Sequence, residues 1–407
     1  MSQTYVYRVR NQTGRIVTGR VEAEGEAAAA ALLRQRKYFI VEVKPVTVRK
    51  KNADLNGMFE KKVSLKHLAI FCRQFATIIG AGVPLLGALN ILRQQTESKK
   101  LKEVLGQMTD YLEEGHTFTE AVRRHNDVFP NIFTSMVEAG EVGGVLEQSM
   151  ERLATHFEKD HELREKIKSA MTYPAVVVSI ACIAVYVLLA FVLPKFVGML
   201  TDAGVALPLP TRIVVFLSGV LSHYWYVVLG SLVLFIFLLG RFRRTEAGKE
   251  ALDRAVLRMP VFGPLGRKVI ISRFSRTLAT LIHAGVPILQ ALEVIQNVVD
   301  NRLVVKAIRE AGVGVTGGLA MAEPLEKSGV FPPMVTRMIA VGEETGSLED
   351  LLTKIADFYD REVEATVARL SSALEPVLIV GMGVVIGFII ISIMLPMLNV
   401  MSGSTVQ

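Results

Sequence analysis

The sequence predicts an all-α integral membrane protein with two repeated cytoplasmic helical-bundle domains, three transmembrane helices and a small α+β module at the N-terminus. Three observations predict this fold class. Of the 407 residues, 51% are hydrophobic. Several runs are long and apolar enough to span a bilayer as helices. One long segment is also repeated, with an offset of 202 or 203 residues.

The N-terminal module is predicted over residues 1–46. TYVYRVR alternates, NQTGR forms a turn and IVTGRVEAE gives a second strand. EAAAAALLRQR favours a helix, and YFIVEVKP gives a third strand. A polar linker follows over residues 47–66. Because this start is polar and lacks the apolar core of a signal peptide, we expect the N-terminal region to stay in the cytoplasm.

Three apolar runs predict transmembrane helices at residues 175–193, 213–240 and 376–400. The middle run is interrupted by SHYWY, whose aromatic residues are typical of a membrane interface. Two interpretations of the residues before SHYWY stay open. They form either an amphipathic segment outside the membrane or the outer part of a long tilted helix.

Flanking charges predict the orientation of the three spans. Two lysines precede the first span, and three arginines at positions 241–244 follow the second. The loop between these spans, residues 194–212, holds only two basic residues. The positive-inside rule therefore places the N-terminus and residues 241–374 in the cytoplasm, and the 194–212 loop and the C-terminus outside.

The repeat accounts for the odd number of spans. FCRQFATIIGAGVPLLGAL begins at position 71 and FSRTLATLIHAGVPILQAL at position 274, and MVEAGEVGGVLE likewise returns as MIAVGEETGSLE. Each copy is predicted to be a cytoplasmic bundle, residues 67–172 and 241–374, that leads into an outgoing span. Two spans in the same direction require a return crossing between them, and parallel repeats of this kind are related by an axis along the membrane normal.

Glycine and proline mark a helix break in both copies. The first helix is predicted to stop at Gly82, and the next has Pro84 in its first turn, where a missing N–H is harmless. Gly285 and Pro287 repeat this pattern. Short loops between several helices in each copy predict an antiparallel bundle.

These motifs resemble those of the polytopic inner-membrane platform proteins of type IV pilus assembly and type II secretion. The resemblance rests on the two AGVP breaks, the VFP and GExxGxLE patterns in both copies, the proline-flanked spans and the N-terminal module. It covers nearly the whole chain, and the pilus-assembly branch is the closer match.

The resemblance implies a non-enzymatic scaffold of the bacterial inner membrane. Its implied partners are a hexameric cytoplasmic assembly or retraction ATPase, pilins or pseudopilins and other inner-membrane assembly proteins. It also implies association with further copies of itself, as a dimer or larger oligomer. The platform of a type II secretion system is the alternative function, and a transporter built from parallel repeats is a more distant one.

The two Gly-Glu motifs are candidate interface elements. Their Gly-x-x-x-Gly spacing permits a tight turn or the close approach of another backbone. The glutamates either accept hydrogen bonds from the N-terminus of the next helix or face a basic partner. The motif residues are Gly140, Glu141 and Gly144 in the first copy and Gly342, Glu343 and Gly346 in the second.

A divalent-ion site such as calcium is a further candidate, formed by Gln95, Glu147 and Glu151. The two glutamates are four residues apart on a predicted helix, and oxygen ligands suit calcium. The second copy has Glu349 and Thr353 at the matching positions, so the pair is not repeated. Solvated surface is the alternative interpretation, and no other cofactor is expected.

The mouth of the last span carries a carboxylate, Glu375, directly before Pro376. A charge at this depth is costly unless it is paired. It either contacts the charged N-terminal region of a pilin or a neighbouring subunit, or caps a helix in interfacial water. Pro174 and Pro376 are predicted to break or bend their helices at the membrane.

Several other function classes are not supported by the sequence. It contains no GxxxxGK[ST] loop for a nucleotide and no HExxH metal motif. Its two cysteines fit no metal or redox spacing. Lys/Arg tracts interleaved with aromatic residues are absent, so nucleic-acid binding is not expected.

Overall fold

The computed structural model of the chain describes residues 3–10, 16–23, 28, 32, 39–45, 63–202, 208–242, 245–260, 262–299 and 301–401. The chain divides into two compact units, residues 1–61 and 62–407. The smaller unit contains the strands, and the larger contains both helical repeats and the apolar helices.

The N-terminal unit holds a three-stranded antiparallel sheet with the strand order β2-β1-β3. Its strands are β1 (Gln3–Arg10), β2 (Ile16–Ala23) and β3 (Phe39–Pro45). They lie at the positions of the predicted strands, and the β1–β3 pairing shifts register between Arg8 and Val9. Of the predicted helix the structure describes Ala28 and Leu32, both helical. Most of that helix and of the predicted linker lies outside the described residues.

The first repeat is a helical bundle in which polar side chains start several helices. Ser64, Ser98 and Thr117 each accept a hydrogen bond from a backbone N–H in the first turn that follows. Such caps satisfy N–H groups that have no partner within the helix. The helices are α1 (Leu65–Gly80), α2 (Leu85–Gln95), α3 (Lys99–Glu113), α4 (Phe118–Arg123), α5 (Asn131–Gly143) and α6 (Leu146–Val187).

A connecting segment follows, and then the second repeat. After a π-helical turn at Leu188–Val192 the connecting helices are α7 (Leu193–Asp202), α8 (Leu209–His223), α9 (Trp225–Phe242) and α10 (Glu246–Arg258). The helices of the second repeat are α11 (Phe262–His283), α12 (Ile288–Gln296), α13 (Arg302–Thr316), α14 (Ala322–Lys327), α15 (Pro333–Thr345) and α16 (Leu348–Met401).

The duplication seen in the sequence is present in the fold. Helices α1 to α6 correspond in order to α11 to α16, and α3, α4 and α5 have the same lengths as α13, α14 and α15. In each repeat the first helix packs along the last, α1 on α6 and α11 on α16. The two bundles have the same architecture, as the repeat predicts.

One hydrophobic core runs through both bundles. Its buried side chains come from α1 to α6 and from α11 to α16, and they form a single cluster. Aromatic rings fill the centre of the first bundle, where Phe75 stacks on Phe118 with ring centres 5.4 Å apart and Phe129 stacks on Phe133 at 4.5 Å. Burial on this scale is the dominant favourable term in folding. Because the core is shared, the repeats form one body within the larger unit.

The last helix of each bundle extends far beyond the bundle. Residues 146–198 and 348–398 form helices long and apolar enough to cross a membrane, and only 11% of the most apolar window of each is buried. Apolar helices that expose most of their surface indicate a membrane protein rather than a soluble core. Pro174 and Pro376 lie inside α6 and α16, and neither ends its helix. The predicted break at these prolines is therefore wrong, whereas the predicted bend and the domain boundaries drawn there stay predictions.

Proline does not end these helices because its ring removes only one backbone hydrogen bond. Membrane helices tolerate this loss, since neighbouring groups can satisfy the freed carbonyl. The bundle and the apolar segment of each repeat are consequently joined by one continuous helix.

The far ends of the apolar helices are held together by α8. Ser218 on α8 donates its hydroxyl to the carbonyl of Leu189 in the π-helical turn, with an O–O distance of 2.6 Å. Thr211 donates to the carbonyl of Ser392 on α16, also at 2.6 Å. A π-helical turn offers such carbonyls because its hydrogen bonds shift by one residue.

Two predictions about this region are wrong. Residues 213–240 do not form one helix, because α8 ends at His223 and α9 begins at Trp225, with Tyr224 (φ −114°, ψ 21°) between them. This division contradicts the interpretation as one long tilted helix, whereas the amphipathic segment outside the membrane stays a prediction. The predicted loop at residues 194–212 is partly helical, because α7 continues from the π-helical turn.

Candidate functional site at the junction of the two repeats

The Gly-Glu motif of the first repeat ties two helices together. Glu141 on α5 accepts hydrogen bonds from the backbone N–H groups of Phe118 and Thr119, both at 2.8 Å. It also accepts the hydroxyl of Thr119 at 2.5 Å. These N–H groups belong to the first turn of α4, where orphan donors and the positive end of the helix dipole favour a carboxylate.

Glu343 has the same position in the second repeat. Its carboxylate accepts the N–H of Met321 at 2.7 Å and that of Ala322 at 3.2 Å, at the start of α14. Both glutamates thus bind the N-terminus of the preceding short helix. The predicted contact with the next helix is wrong in direction, because α5 and α15 return alongside the helices that come before them.

The motif glycines have two separate roles. A Cβ on Gly140 would lie 2.5 Å from Ser149 Oγ, and one on Gly342 would lie 2.8 Å from the Cα of Leu348. These glycines let the long helix of each repeat approach closely. Gly144 and Gly346 end α5 and α15 with φ of 67° and 69°, the left-handed conformation that favours glycine.

The AGVP segments form the sharp turn between the first two helices of each repeat. Gly82 (φ 82°) and Gly285 (φ 79°) adopt left-handed conformations just after α1 and α11. Pro84 and Pro287 occupy the N-cap positions of α2 and α12. The prolines therefore lie one position before the first helical turn, where they were predicted.

Repeated ion pairs join the first and last helices of each bundle. Arg73 on α1 donates to Glu158 on α6 at 2.7 Å, and Arg276 on α11 donates to Asp360 on α16 at 2.5 Å. Hydrogen bonding to Glu158 raises the pKa of Arg73. These pairs were not predicted from the sequence. The repeat itself carried the signal, because both members recur at the offset of 202 or 203 residues.

The repeats meet at a cleft of about 560 Å³ between α6, α11 and α16. Its lining mixes both signs of charge, so it lacks the uniform field that would select one charged ligand. Arg152 on α6 crosses the cleft and donates to the backbone carbonyl of His283. His283 in turn contacts the carboxylate of Glu349. Polar contacts thus hold the two repeats together at this cleft.

His156 on α6 is buried where the two repeats meet. The pKa of its imidazole is lowered to about 4, chiefly by burial; Asp160 acts to raise it, and the cations Arg276 and Arg273 act to lower it. Asp160 pairs with Arg273 on α11 at 3.1 Å. His156 is therefore neutral at pH 7 and packs as a core residue between the bundles.

The three candidate calcium ligands have separate surroundings. The carboxylate of Glu147 lies over Gly80 at the end of α1, and Glu151 pairs with Arg73 at 3.6 Å. Gln95 lines a groove between α1 and α2. Within the described residues no group of three His, Cys, Asp or Glu side chains is placed to hold a metal ion.

Glu375 lies in the interior of α16 and is exposed. A carboxylate in mid-helix caps no helix start, so the capping interpretation is wrong. Its exposure agrees with a place in interfacial water, and the contact with a pilin or a neighbouring subunit stays a prediction. Pro174, at the corresponding place on α6, likewise lies within a continuous helix.

The fold and this junction define a class: a membrane protein of two equivalent helical bundles, each continuous with an apolar helix. The model of the family "Type II secretion system (T2SS), protein F" matches residues 71–194 and again 274–396, and the model of its N-terminal domain matches residues 1–44. The chain belongs to the type II secretion system protein F family.

Relatives with two different names match along almost the whole chain. A protein of Thermus thermophilus named type IV pilus assembly protein PilC is 41% identical over 404 residues, 99% of both chains. The protein of that name from Myxococcus xanthus is 39% identical, over 97% of this chain and 94% of its own length. Type II secretion system protein F of Xanthomonas campestris is 32% identical over 97% of both.

Proposed function

We propose that the chain is the inner-membrane platform of a type IV pilus assembly machine. In this role it couples a cytoplasmic hexameric ATPase to the insertion or extraction of pilin subunits. The observation that carries the proposal is its similarity along 99% of its length to a protein named for type IV pilus assembly. The higher identity to the PilC-named relatives than to the protein F relatives favours pilus assembly over secretion.

The continuous helices supply a mechanism for this role. Helices α6 and α16 each begin in a bundle and end in an apolar segment without a charged residue. The ATPase would engage exposed polar faces of the bundles. Because each bundle shares a helix with its apolar segment, rotation or tilting of the bundle would move that segment beside the pilin helix.

The uncharged apolar segments suit sliding contacts with another membrane helix, since such contacts depend on packing rather than on fixed charges. We assign Glu375 to the contact with the charged N-terminal region of a pilin or with a neighbouring subunit. The topology that accompanies this role has three spans, with the N-terminus in the cytoplasm and the C-terminus outside.

A deletion strain tests the role. We expect loss of surface pili on deletion, recovery with a tagged full-length copy, and co-purification of a hexameric ATPase with the tagged protein. Normal pili and no ATPase in the purified material would contradict the proposal. Complementation with Glu375→Ala, beside the exposed control Ser372→Ala, tests the pilin contact, and equal piliation of the two strains would exclude it.

The platform of a type II secretion system is the second candidate, favoured by the description of the matching family and by relatives named protein F. In that case the deletion strain keeps its pili and fails to export secreted enzymes. Loss of solute uptake with both pili and secretion intact would indicate the transporter alternative instead.

A further inference from the structure

The two repeats contact each other through different faces. Leu163 and Ile167 on α6 pack against Val363 and Val367 on α16. An isologous contact would also bury Ala365 and Arg369, the residues on α16 that match Leu163 and Ile167 at the offset of 202, but both are exposed. The contact is therefore heterologous: the first repeat uses one face and the second repeat uses a different one. Each repeat consequently retains an uncovered copy of the face that the other repeat uses.

The second repeat offers a groove between α11 and α12, and the first repeat fills it. Helix α5 packs on α11 and α12. His156 and Leu163 of α6 meet Arg273, Thr277 and Val298 in a small crevice. The junction is therefore made by the α5–α6 side of one repeat and the α11–α12 side of the other.

The same groove exists in the first repeat and is open. We call it the receiving groove and define it by Ile70, Gln74, Ile91 and Gln95; the offset of 203 maps these residues onto Arg273, Thr277, Val294 and Val298. Together α1 and α2 form a groove of about 380 Å³ that includes Ile70, Gln74 and Gln95. Ile91 is 37% exposed, whereas its counterpart Val294 is 7% exposed.

The second repeat has, on α15 and α16, an uncovered counterpart of the α5–α6 face that fills the α11–α12 groove. We call it the docking face and define it by Met334, Val341, Phe358 and Arg361; the offset of 202 maps these residues onto Ile132, Ala139, His156 and Lys159. Met334 is 41% exposed against 2% for Ile132, and Phe358 is 40% exposed against 8% for His156. Apolar side chains exposed together in this way mark an interaction surface.

We propose that the docking face of one chain occupies the receiving groove of a second copy, in the geometry by which the first repeat already packs on the second. The occupant is a second copy because this chain already contains that interface between equivalent halves. Both surfaces carry exposed apolar residues, Ile70 and Ile91 on the groove and Met334, Val341 and Phe358 on the face.

The proposed contact keeps all copies in one membrane. Helices α6 and α16 run parallel, with Lys166 paired to Glu364 at 2.5 Å and Leu189 packed near Ile389 farther along. When both apolar helices cross one membrane, the operation that relates successive repeats is a rotation about the membrane normal. A head-to-tail contact repeated by such a rotation stays in the membrane plane, and it closes into a ring when the rotation divides a full turn.

Cysteine cross-linking between two differently tagged full-length chains tests the contact. One chain carries Gln74→Cys and the other Phe358→Cys, both with Cys182→Ser, and the buried Cys72 is retained. We choose these positions because their counterparts Thr277 and His156 line one crevice. Oxidation of membranes should give a disulfide-linked species that carries both tags.

The matched control replaces Phe358→Cys by Val313→Cys, an exposed apolar position on α13 outside the docking face. It should give no mixed species with Gln74→Cys. Cross-links only between identical chains would overturn the proposal, because they indicate an isologous contact. Absence of any cross-link would overturn it as well.

The mass of the detergent-solubilised protein gives a second measurement that does not depend on pilus assembly. We expect the parent chain to be oligomeric, Phe358→Asp and Ile91→Asp to be monomeric with unchanged helical content, and Val313→Asp to stay oligomeric. A monomeric parent, or variants that keep the mass of the parent, would contradict the proposal.

Discussion

The Arg73–Glu158 pair of the first repeat and the Arg276–Asp360 pair of the second are the same construction in two environments. The first arginine side chain is 40% exposed, and the second is 14% exposed. The difference arises because α6 of the first repeat packs over the α11–α16 side of the second, while the α1–α6 side of the first is uncovered. Duplication thus preserves the ion pair, and the packing of the two repeats sets how much the pair contributes to the free energy of unfolding.

The largest expected loss of stability comes from breaking the buried Arg276–Asp360 pair. Arg276→Ala leaves Asp360 largely buried, with Ser272 as its remaining hydrogen-bond donor. Removing one partner of a buried ion pair costs about 3 kcal/mol or more. Arg73→Ala should cost less than about 1 kcal/mol, because water solvates an exposed glutamate. Thermal unfolding of both variants in the same detergent measures the difference.

The double variant Arg276→Met/Asp360→Leu provides the control for this comparison. It removes both charges together, so it should recover much of the stability that Arg276→Ala loses. Equal losses of stability in Arg73→Ala and Arg276→Ala would show that the packing of the repeats does not change what the ion pair contributes to stability.

His156 and Phe358 are a second pair of equivalent positions, and only the residue in the first repeat can make stability depend on pH. The pKa of His156 is lowered to about 4 chiefly by burial, so the unfolded chain takes up a proton that the folded chain excludes. Stability is unaffected above about pH 6.5 and falls between pH 6.5 and 4. From these pKa values the loss at pH 5 is about 2 kcal/mol.

Unfolding midpoints at pH 7.5 and pH 5 measure this dependence. His156→Phe, which places the residue of the second repeat in the first, should reduce the loss on acidification by about 2 kcal/mol. Phe358→His, measured as a monomer, adds an exposed imidazole and should leave the loss as it is in the parent. Carboxylates contribute equally to the loss in all three chains. If His156→Phe loses as much stability between pH 7.5 and pH 5 as the parent, His156 is not a buried neutral histidine in the folded chain.

The two repeats also show which features were predictable from the sequence. The turns at Gly82 and Gly285 were predictable from local chemistry. Glycine ends one helix, and the proline two residues later starts the next. The equivalence of the bundles followed from the constant offset. The same offset pointed to Arg73 and Arg276, but a charged pair becomes visible only when both copies are compared position by position.

Other features depended on contacts that a sequence does not contain. The division of the apolar run at Tyr224 accompanies the packing of α8 on α16 and on the π-helical turn, where Ser218 and Thr211 find carbonyl partners. The passage of α6 through Pro174 is tolerated by the environment of a membrane helix rather than by local propensity. The heterologous contact of the repeats likewise arises from tertiary packing, so neither Phe358 nor Ile91 stood out in the sequence.

The smallest expected difference lies between the two Gly-Glu motifs. Glu141 accepts three hydrogen bonds, including a 2.5 Å bond from Thr119, whereas Glu343 accepts two. Glu141→Ala should therefore cost about 2 kcal/mol and Glu343→Ala about 1 kcal/mol, since each leaves N–H groups at a helix start without a partner. Hydrogen exchange at residues 118–119 and 321–322 locates the loss.

The exposed neighbour Glu344 gives the control, and Glu344→Ala should change neither exchange nor stability. If exchange at residues 118–119 stays slow in Glu141→Ala, the carboxylate does not hold the start of α4. If Glu343→Ala is the more damaging variant, the number of hydrogen bonds does not set the cost. The order of the two losses therefore tests whether the hydrogen bonds to the start of the short helix set the contribution of each glutamate to stability.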